Sequence, residues 1–277
     1  MCRRPSTRLR RVDDDRTRVE LVIIGGGNMG AALLGGLVES GVFAESALAV
    51  VELADGRRAE LATMFPGVAV ARTIPPCVGA VLAVKPVDTP AAAAAAAAAG
   101  AKRVLSIAAG VRLATIEASV GPGVCVVRAM PNTPALVRLG ACAVSAGSTA
   151  GVDDVAWACT ILEAVGTVDE VEEAALDAFT GVAGSGPAYI FLLAEALVDA
   201  AVGEGLDRAM AERVVRQLLL GPATLLDREG DATRLREMVT SPNGTTAAGL
   251  ATLADHDLRG AVAAAVHAAT QRSRELG

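Results

Sequence analysis

Short β-branched runs alternate with stretches of helical apolar spacing over the first 170 or so residues of the chain. The run VELVII at 19–24 stops at Gly25, the pattern of a buried strand. After Gly30 the segment AALLGGLVESG has helical spacing and a glycine stop at Gly41. A strand at 47–52 (ALAVVE), a helix RRAELATMF closed by Pro66, and strands GVAVAR and AVLAVKP follow. Thr89 as cap and Pro90 then open a helix through the alanine tract 91–99, which reads as a weakly constrained surface helix. KRVLSIAAG and GVCVVRAMP predict two strands around a short helix at 113–119, CAVSAG a seventh strand, and VDDVAWACTILEAVG a helix. Strands alternating with helices predict a parallel, doubly wound α/β sheet. From about Glu172 strand-like runs disappear, and helical segments follow with breaks at 184–187, 203–205, 221–222 and 241–244.

Composition narrows the picture. The 277 residues are 52% hydrophobic and 20% charged, a globular balance, but only 2% aromatic, so Ala, Val and Leu must fill the core. A net charge of −6 argues against nucleic acid as a partner. Five separated cysteines without a CxxC pair suit a reduced, cytoplasmic protein. Two histidines, both near the C-terminus, make a His/Cys metal centre improbable, and no metal is expected. Residues 1–18 carry seven arginines, but Asp13, Asp14 and Asp15 stand where a signal peptide needs an apolar run, so a disordered tail or an over-long translation start is expected. The apolar stretch 188–202 contains Glu195 and Asp199 and reads as too short and too charged to span a bilayer, so no membrane partner is expected.

Four motifs carry chemistry. Gly25-Gly26-Gly27-Asn28-Met29-Gly30 fits GxGxxG between a predicted strand and a predicted helix, where backbone can approach a pyrophosphate at a helix N-terminus. Glu52 ends the second strand, 22 residues after Gly30, where an acidic side chain holds the ribose hydroxyls of NAD. Arg57 and Arg58 follow and fit either a 2′-phosphate or a solvated helix face, leaving NAD and NADP both open. Ala83-Val84-Lys85-Pro86 ends the fourth strand and should border the cofactor, with Lys85 either catalytic or a solvated or phosphate-facing group. Ile107, Ala108 and Ala109 end the next strand with residues small enough to admit a nicotinamide ring, and RAMPN at 128–132 is either a turn or a site wall. The third motif, GVAGSGPAY at 181–189, is either a packed helix start or the edge of a cleft. In the fourth, Ser241-Pro242-Asn243-Gly244-Thr245-Thr246, a turn leads into a helix, and N–H groups and hydroxyls converge as a site for a small carboxylate. The expected organisation is a basic tail at 1–18, a Rossmann-like dinucleotide-binding domain at 19–172 and a helical substrate and dimerisation domain at 173–277.

GGGNMG, AVKP, RAMPNTP, GSGPAY and VTSPNGTT, in that order, closely resemble the pyrroline-5-carboxylate reductase family from Val19 to nearly the C-terminus. The resemblance implies hydride transfer from NADH or NADPH to 1-pyrroline-5-carboxylate to give L-proline, the last step of proline biosynthesis. It places Thr246 where the family's hydroxyl hydrogen-bonds the substrate nitrogen, and the loop 241–245 where backbone N–H groups hold the carboxylate. Glu173 and Glu229 match, more weakly, acidic residues lining the family's substrate pocket. A dimer through the C-terminal domain, often built into larger rings such as a decamer, is implied as well. Two positions depart from the family's pattern. Asn243 stands where glycine is usual, and Asn tolerates the left-handed conformation best among other residues; Glu52 stands where NADPH-preferring members have small polar or basic residues. A β-hydroxyacid dehydrogenase would carry a catalytic Lys near the interdomain helix start, where this chain has Ile190. A non-enzymatic dinucleotide-binding protein would be expected to have a damaged SPNGTT loop, and here it is intact.

Overall fold

The computed structural model describes residues 18–277, so of the tail expected at 1–18 all but Arg18 lies outside the described residues. In chain order the first part runs β1 (Val19–Ile24), α1 (Asn28–Ser40), β2 (Leu48–Val51), α2 (Asp55–Met64), β3 (Ala69–Ala71), β4 (Cys77–Leu82), α3 (Thr89–Ala98), β5 (Arg103–Ser106), α4 (Leu113–Val120), β6 (Cys125–Met130), β7 (Gly140–Ala146), α5 (Val152–Glu163) and β8 (Gly166–Glu170). The strands form one sheet in the order β3-β2-β1-β4-β5-β6-β7-β8. Its two faces are legible in β1, because side chains alternate with period two. Leu21 and Ile23 enter one core with Leu33, Leu34 and Leu37 of α1 and Ile161 and Leu162 of α5. Val22 and Ile24 enter the other with Ala93 and Ala96 of α3 and Ile116 of α4. A strand buried on both faces is apolar where it is covered, hence the run Leu21 to Ile24, while Glu20 near its start stays exposed. Trp157 of α5, the chain's one tryptophan, packs against the first of these cores.

The expectation of a parallel sheet throughout needs correction. β1 to β6 are parallel, but β7 runs antiparallel to β6, and β8 is parallel to β7. The link between β6 and β7 holds only a 3-10 turn, Thr133–Val137, too short for a crossover helix. β8 itself was not anticipated: GTVDE, half polar, sits at the sheet edge with only partial burial. The glycine-rich motif also differs in register, since α1 begins at Asn28 rather than after Gly30. Thr89 does not cap α3. It is fully buried, and its hydroxyl donates to the Lys85 carbonyl at 3.2 Å.

By its contacts the chain divides between Leu176 and Asp177. The second unit contains most of α6 (Leu176–Phe179) and α7 (Gly186–Gly203), α8 (Arg208–Glu229), α9 (Ala232–Met238), α10 (Thr245–Asp255) and α11 (Leu258–Leu276). Two of the expected breaks are not breaks. At 180–184 the chain makes a π turn, with Ser185 N–H donating to Thr180 O at 2.9 Å, and passes straight into α7. α8 continues through Gly221-Pro222. Pro222 removes one helical hydrogen bond, yet α8 is largely exposed there, so water can take the orphaned carbonyl and the flanking turns carry the helix. Tyr189 points its hydroxyl at the carbonyls of Gly181 and Ala265, at 3.4 and 3.5 Å, tying α7 to the π turn and α11. The helical run Glu173–Gly203, 31 residues, is long and apolar enough by length and composition to cross a membrane, with 6% of its most apolar window buried within the chain. The stretch at 188–202 was expected to be too short for that, and the π turn is what lengthens the helix.

Candidate active site

Gly25 turns the chain from β1 toward α1 with φ 106°, a conformation that side chains resist, and its N–H donates to Val51 O at 2.9 Å. The carbonyl of Ala83 passes so close to Gly25 that a Cβ there would overlap it, and a Cβ on Gly30 would overlap the carbonyl oxygen of Gly25. The loop is thus pressed between the ends of β1 and β4, and only glycine fits at both places. Gly27 caps α1 through extended backbone with no side-chain bond, which leaves the first-turn N–H groups of α1 without intrahelical acceptors. Beside this turn a cavity of about 970 Å³ opens at the carboxyl ends of β1, β2 and β4. Position, size and a helix N-terminus together fit a dinucleotide.

Of the expected cofactor residues, Gly25, Gly27, Glu52, Ala83, Val84 and Lys85 line the cavity. Asn28, Met29 and Gly30 form the first turn of α1 beside it. Pro86, Ile107, Ala108 and Ala109 do not line it: Ala108 is buried in the core below, and Ile107 donates its N–H to Leu82 O at 3.1 Å. The alanine tract is a helix with an exposed face, as expected, but it is more than weakly constrained. Ala93 and Ala96 are fully buried, while Ala91, Ala92, Ala95, Ala98 and Ala99 make one wall of the cavity. Their i, i+3 and i+4 spacing, small at every step, was the available signal. Ile24 and Val51 at the strand ends line it too, as do Leu53, Arg72, Thr73, Ile74 and Asp88, and nothing in the local sequence of these last five marks them.

Glu52 is held by three backbone donors. Its Oε2 accepts from Gly26 N–H at 3.1 Å, and its Oε1 from Leu53 and Ala54 N–H at 2.7 and 2.9 Å. Burial pushes its pKa up, but these bonds and the nearby Arg57 outweigh burial and hold the carboxyl below its ordinary range. Glu52 is therefore an anion at neutral pH. The thiols are poor nucleophiles by contrast: burial raises Cys77, Cys125 and Cys159, and pushes Cys142 up to about 11. Among the described residues no group of three His, Cys, Asp or Glu side chains could hold a metal ion.

In the helical unit, Ser241 to Thr246 form one turn. Asn243 takes φ 58°, the left-handed conformation anticipated for it, and Gly244 N–H donates to Ser241 O at 3.1 Å. Gly244 then caps α10 without any side-chain bond, and exposed Thr245 and Thr246 begin the helix. This end thus presents N–H groups and two hydroxyls at a single helix terminus. Glu229 ends α8 and pairs with Arg234 at 3.5 Å. Glu173 belongs to the sheet unit: its Oε1 accepts from Arg128 at 2.8 Å and from Leu113 N–H at 2.7 Å, so it caps α4 and neutralises a buried guanidinium. Asn132 likewise anchors the sheet, accepting from Ala141 N–H at 2.9 Å.

Arg128 is 4% exposed, so removing its partner strands a buried charge. Glu173→Ala is expected to destabilise the sheet unit by about 3 kcal/mol, read from urea unfolding by circular dichroism. Glu173→Gln, which keeps an acceptor for Leu113, should cost less. Unchanged stability in both would show that the pair contributes nothing.

Residues 173–276 match the family described as pyrroline-5-carboxylate reductase dimerisation, and residues 20–110 match NADP oxidoreductase coenzyme F420-dependent. A pyrroline-5-carboxylate reductase of Synechocystis is 41% identical over 269 residues, covering 94% of this chain and 98% of that protein. The chain belongs to the pyrroline-5-carboxylate reductase family. A structure of the Coxiella burnetii reductase is similar with a TM-score of 0.87, at 34% identity, over 94% of this chain and 98% of that one. The Plasmodium falciparum pyrroline carboxylate reductase, solved with NADP bound, has a TM-score of 0.81 at 27% identity, covering 94% of this chain and 98% of that one. Membership in this reductase family accounts for the two-part plan, a doubly wound sheet followed by helices that match a dimerisation domain.

Proposed function

We propose that this chain reduces 1-pyrroline-5-carboxylate to L-proline with NADH or NADPH, closing proline biosynthesis. The observation that carries the reading is the turn 241–246 at the head of α10, in a chain that also holds a cavity large enough for a dinucleotide. Bound NADH or NADPH supplies the hydride. The N–H groups of the α10 turn hold the substrate carboxylate, aided by the helix dipole. The Thr246 hydroxyl orients the ring nitrogen; an alcohol is too weak an acid to protonate it, and a protonated imine is already electrophilic. Most of the rate then comes from positioning. Ile190, half exposed on α7, offers no proton to a hydroxyacid, which disfavours the dehydrogenase reading.

The test is oxidation of reduced cofactor in the presence of pyrroline-5-carboxylate, with proline measured alongside. Stoichiometric proline is the expected result, and no turnover with either cofactor would sink the proposal. The proposal includes a homodimer formed through the helical unit, supported by Ile190, Phe191 and Leu192 of α7 and Leu220 of α8, all at least half exposed. Burial against a second copy explains why so apolar a helix shows so little burial within its own chain. Mass in solution separates dimer from decamer. A reduced, cytoplasmic setting is proposed too, supported by the four described cysteines being unbridged thiols.

A further inference from the structure

We infer that this chain selects NADH over NADPH, and that Glu52 is the residue that makes the selection; the inference rests on reading the cavity as a dinucleotide site. The two cofactors differ only at the adenosine ribose, which carries a 2′-hydroxyl in one and a 2′-phosphate in the other. Glu52 directly follows β2 and lines the cavity with Gly25 and Gly27. Three backbone N–H groups fix its carboxylate there, using three of about four acceptor positions. What remains accepts from a ribose hydroxyl. A phosphate brings charge of the same sign and no donor, so it is repelled and gains no bond.

A protein that takes NADPH can offset such repulsion with cations, but the two arginines that follow Glu52 in α2 are already engaged. Arg57 donates to Gly26 O at 2.7 Å and to Glu60 at 2.8 Å. Arg58 donates to the carbonyls of Glu52 and Leu53, at 2.9 and 2.7 Å, and also bonds Asp55. Neither arginine lines the cavity. Arg72 does line it, and Asp55 stands 3.9 Å from its guanidinium. Lys85 lines the cavity as well, and these four cations are equalled in number by Glu52, Asp55, Glu60 and Asp88, so the edge carries no net positive charge to receive a phosphate.

Calorimetric titration of the full-length protein with NADH and NADPH tests this directly, alongside initial rates with pyrroline-5-carboxylate. NADH should bind at least tenfold more tightly, which is about 1.4 kcal/mol. Glu52→Gln and Glu52→Ser should shrink the difference to less than about threefold, by weakening NADH and strengthening NADPH, with folding checked by urea unfolding. Equal or tighter binding of NADPH by the unaltered protein overturns the inference without reference to any variant. A preference that survives both folded substitutions overturns the role of Glu52. NADH-selective binding without turnover would leave this inference standing and remove the proposed reaction.

Discussion

Alanine at Gly30 and alanine at Gly27 are expected to fail in different ways. At Gly30 the new methyl would overlap the Gly25 carbonyl oxygen, with Ala83 Cβ at 3.4 Å behind it. The turn must then open, and Gly30→Ala should lower dinucleotide affinity about a hundredfold while also destabilising the sheet unit by about 1–3 kcal/mol. At Gly27 a Cβ meets nothing within 4 Å, and the backbone conformation is one alanine adopts readily. Gly27→Ala should therefore leave stability within about 0.5 kcal/mol and weaken binding only through the ligand it crowds. Calorimetry for affinity and urea unfolding for stability separate the two. If Gly27→Ala bound NADH as tightly as the unaltered protein, the pyrophosphate would not pass over that residue.

The second large effect is expected at Thr246. Thr246→Ala should lower kcat for pyrroline-5-carboxylate about a hundredfold, the usual loss when one well-placed donor is removed. The dissociation constant for the cofactor should hardly move, because Thr246 belongs to α10 and the cavity lining to the sheet unit. Thr246→Ser should recover most of the rate, since the hydroxyl returns and only a methyl is lost. A kcat unaffected by Thr246→Ala would remove that hydroxyl from the reaction.

Where the sequence reading succeeded, local pattern and tertiary demand agreed. VELVII announces a strand buried on both faces because each of its two cores takes alternate residues. The left-handed turn at Asn243 was legible because few residues accept that conformation. The failures came where the deciding partner lies far along the chain. Nothing near Glu173 says that Arg128, 45 residues earlier, will be buried and need its charge. Nothing in GTVDE promises a strand, because an edge strand needs apolar residues on one side at most. Gly221-Pro222 looks like a stop in any helical pattern, yet an exposed helix can lose one bond to proline and continue. The alanines were misread because small residues carry little hydropathy contrast. Their role is the space they leave, and space appears only once α3 lies on the sheet.

The lone tryptophan has an optical consequence. Trp157 is packed against the core of the sheet unit, and Tyr189, the chain's one tyrosine, belongs to the helical unit. Each half of the protein thus carries one natural fluorophore of a different colour. Selective excitation of indole reports on the sheet half alone, and phenol emission on the helical half. Whether the halves melt as a single transition or in succession can therefore be watched in unlabelled protein, with no dye attached to disturb it.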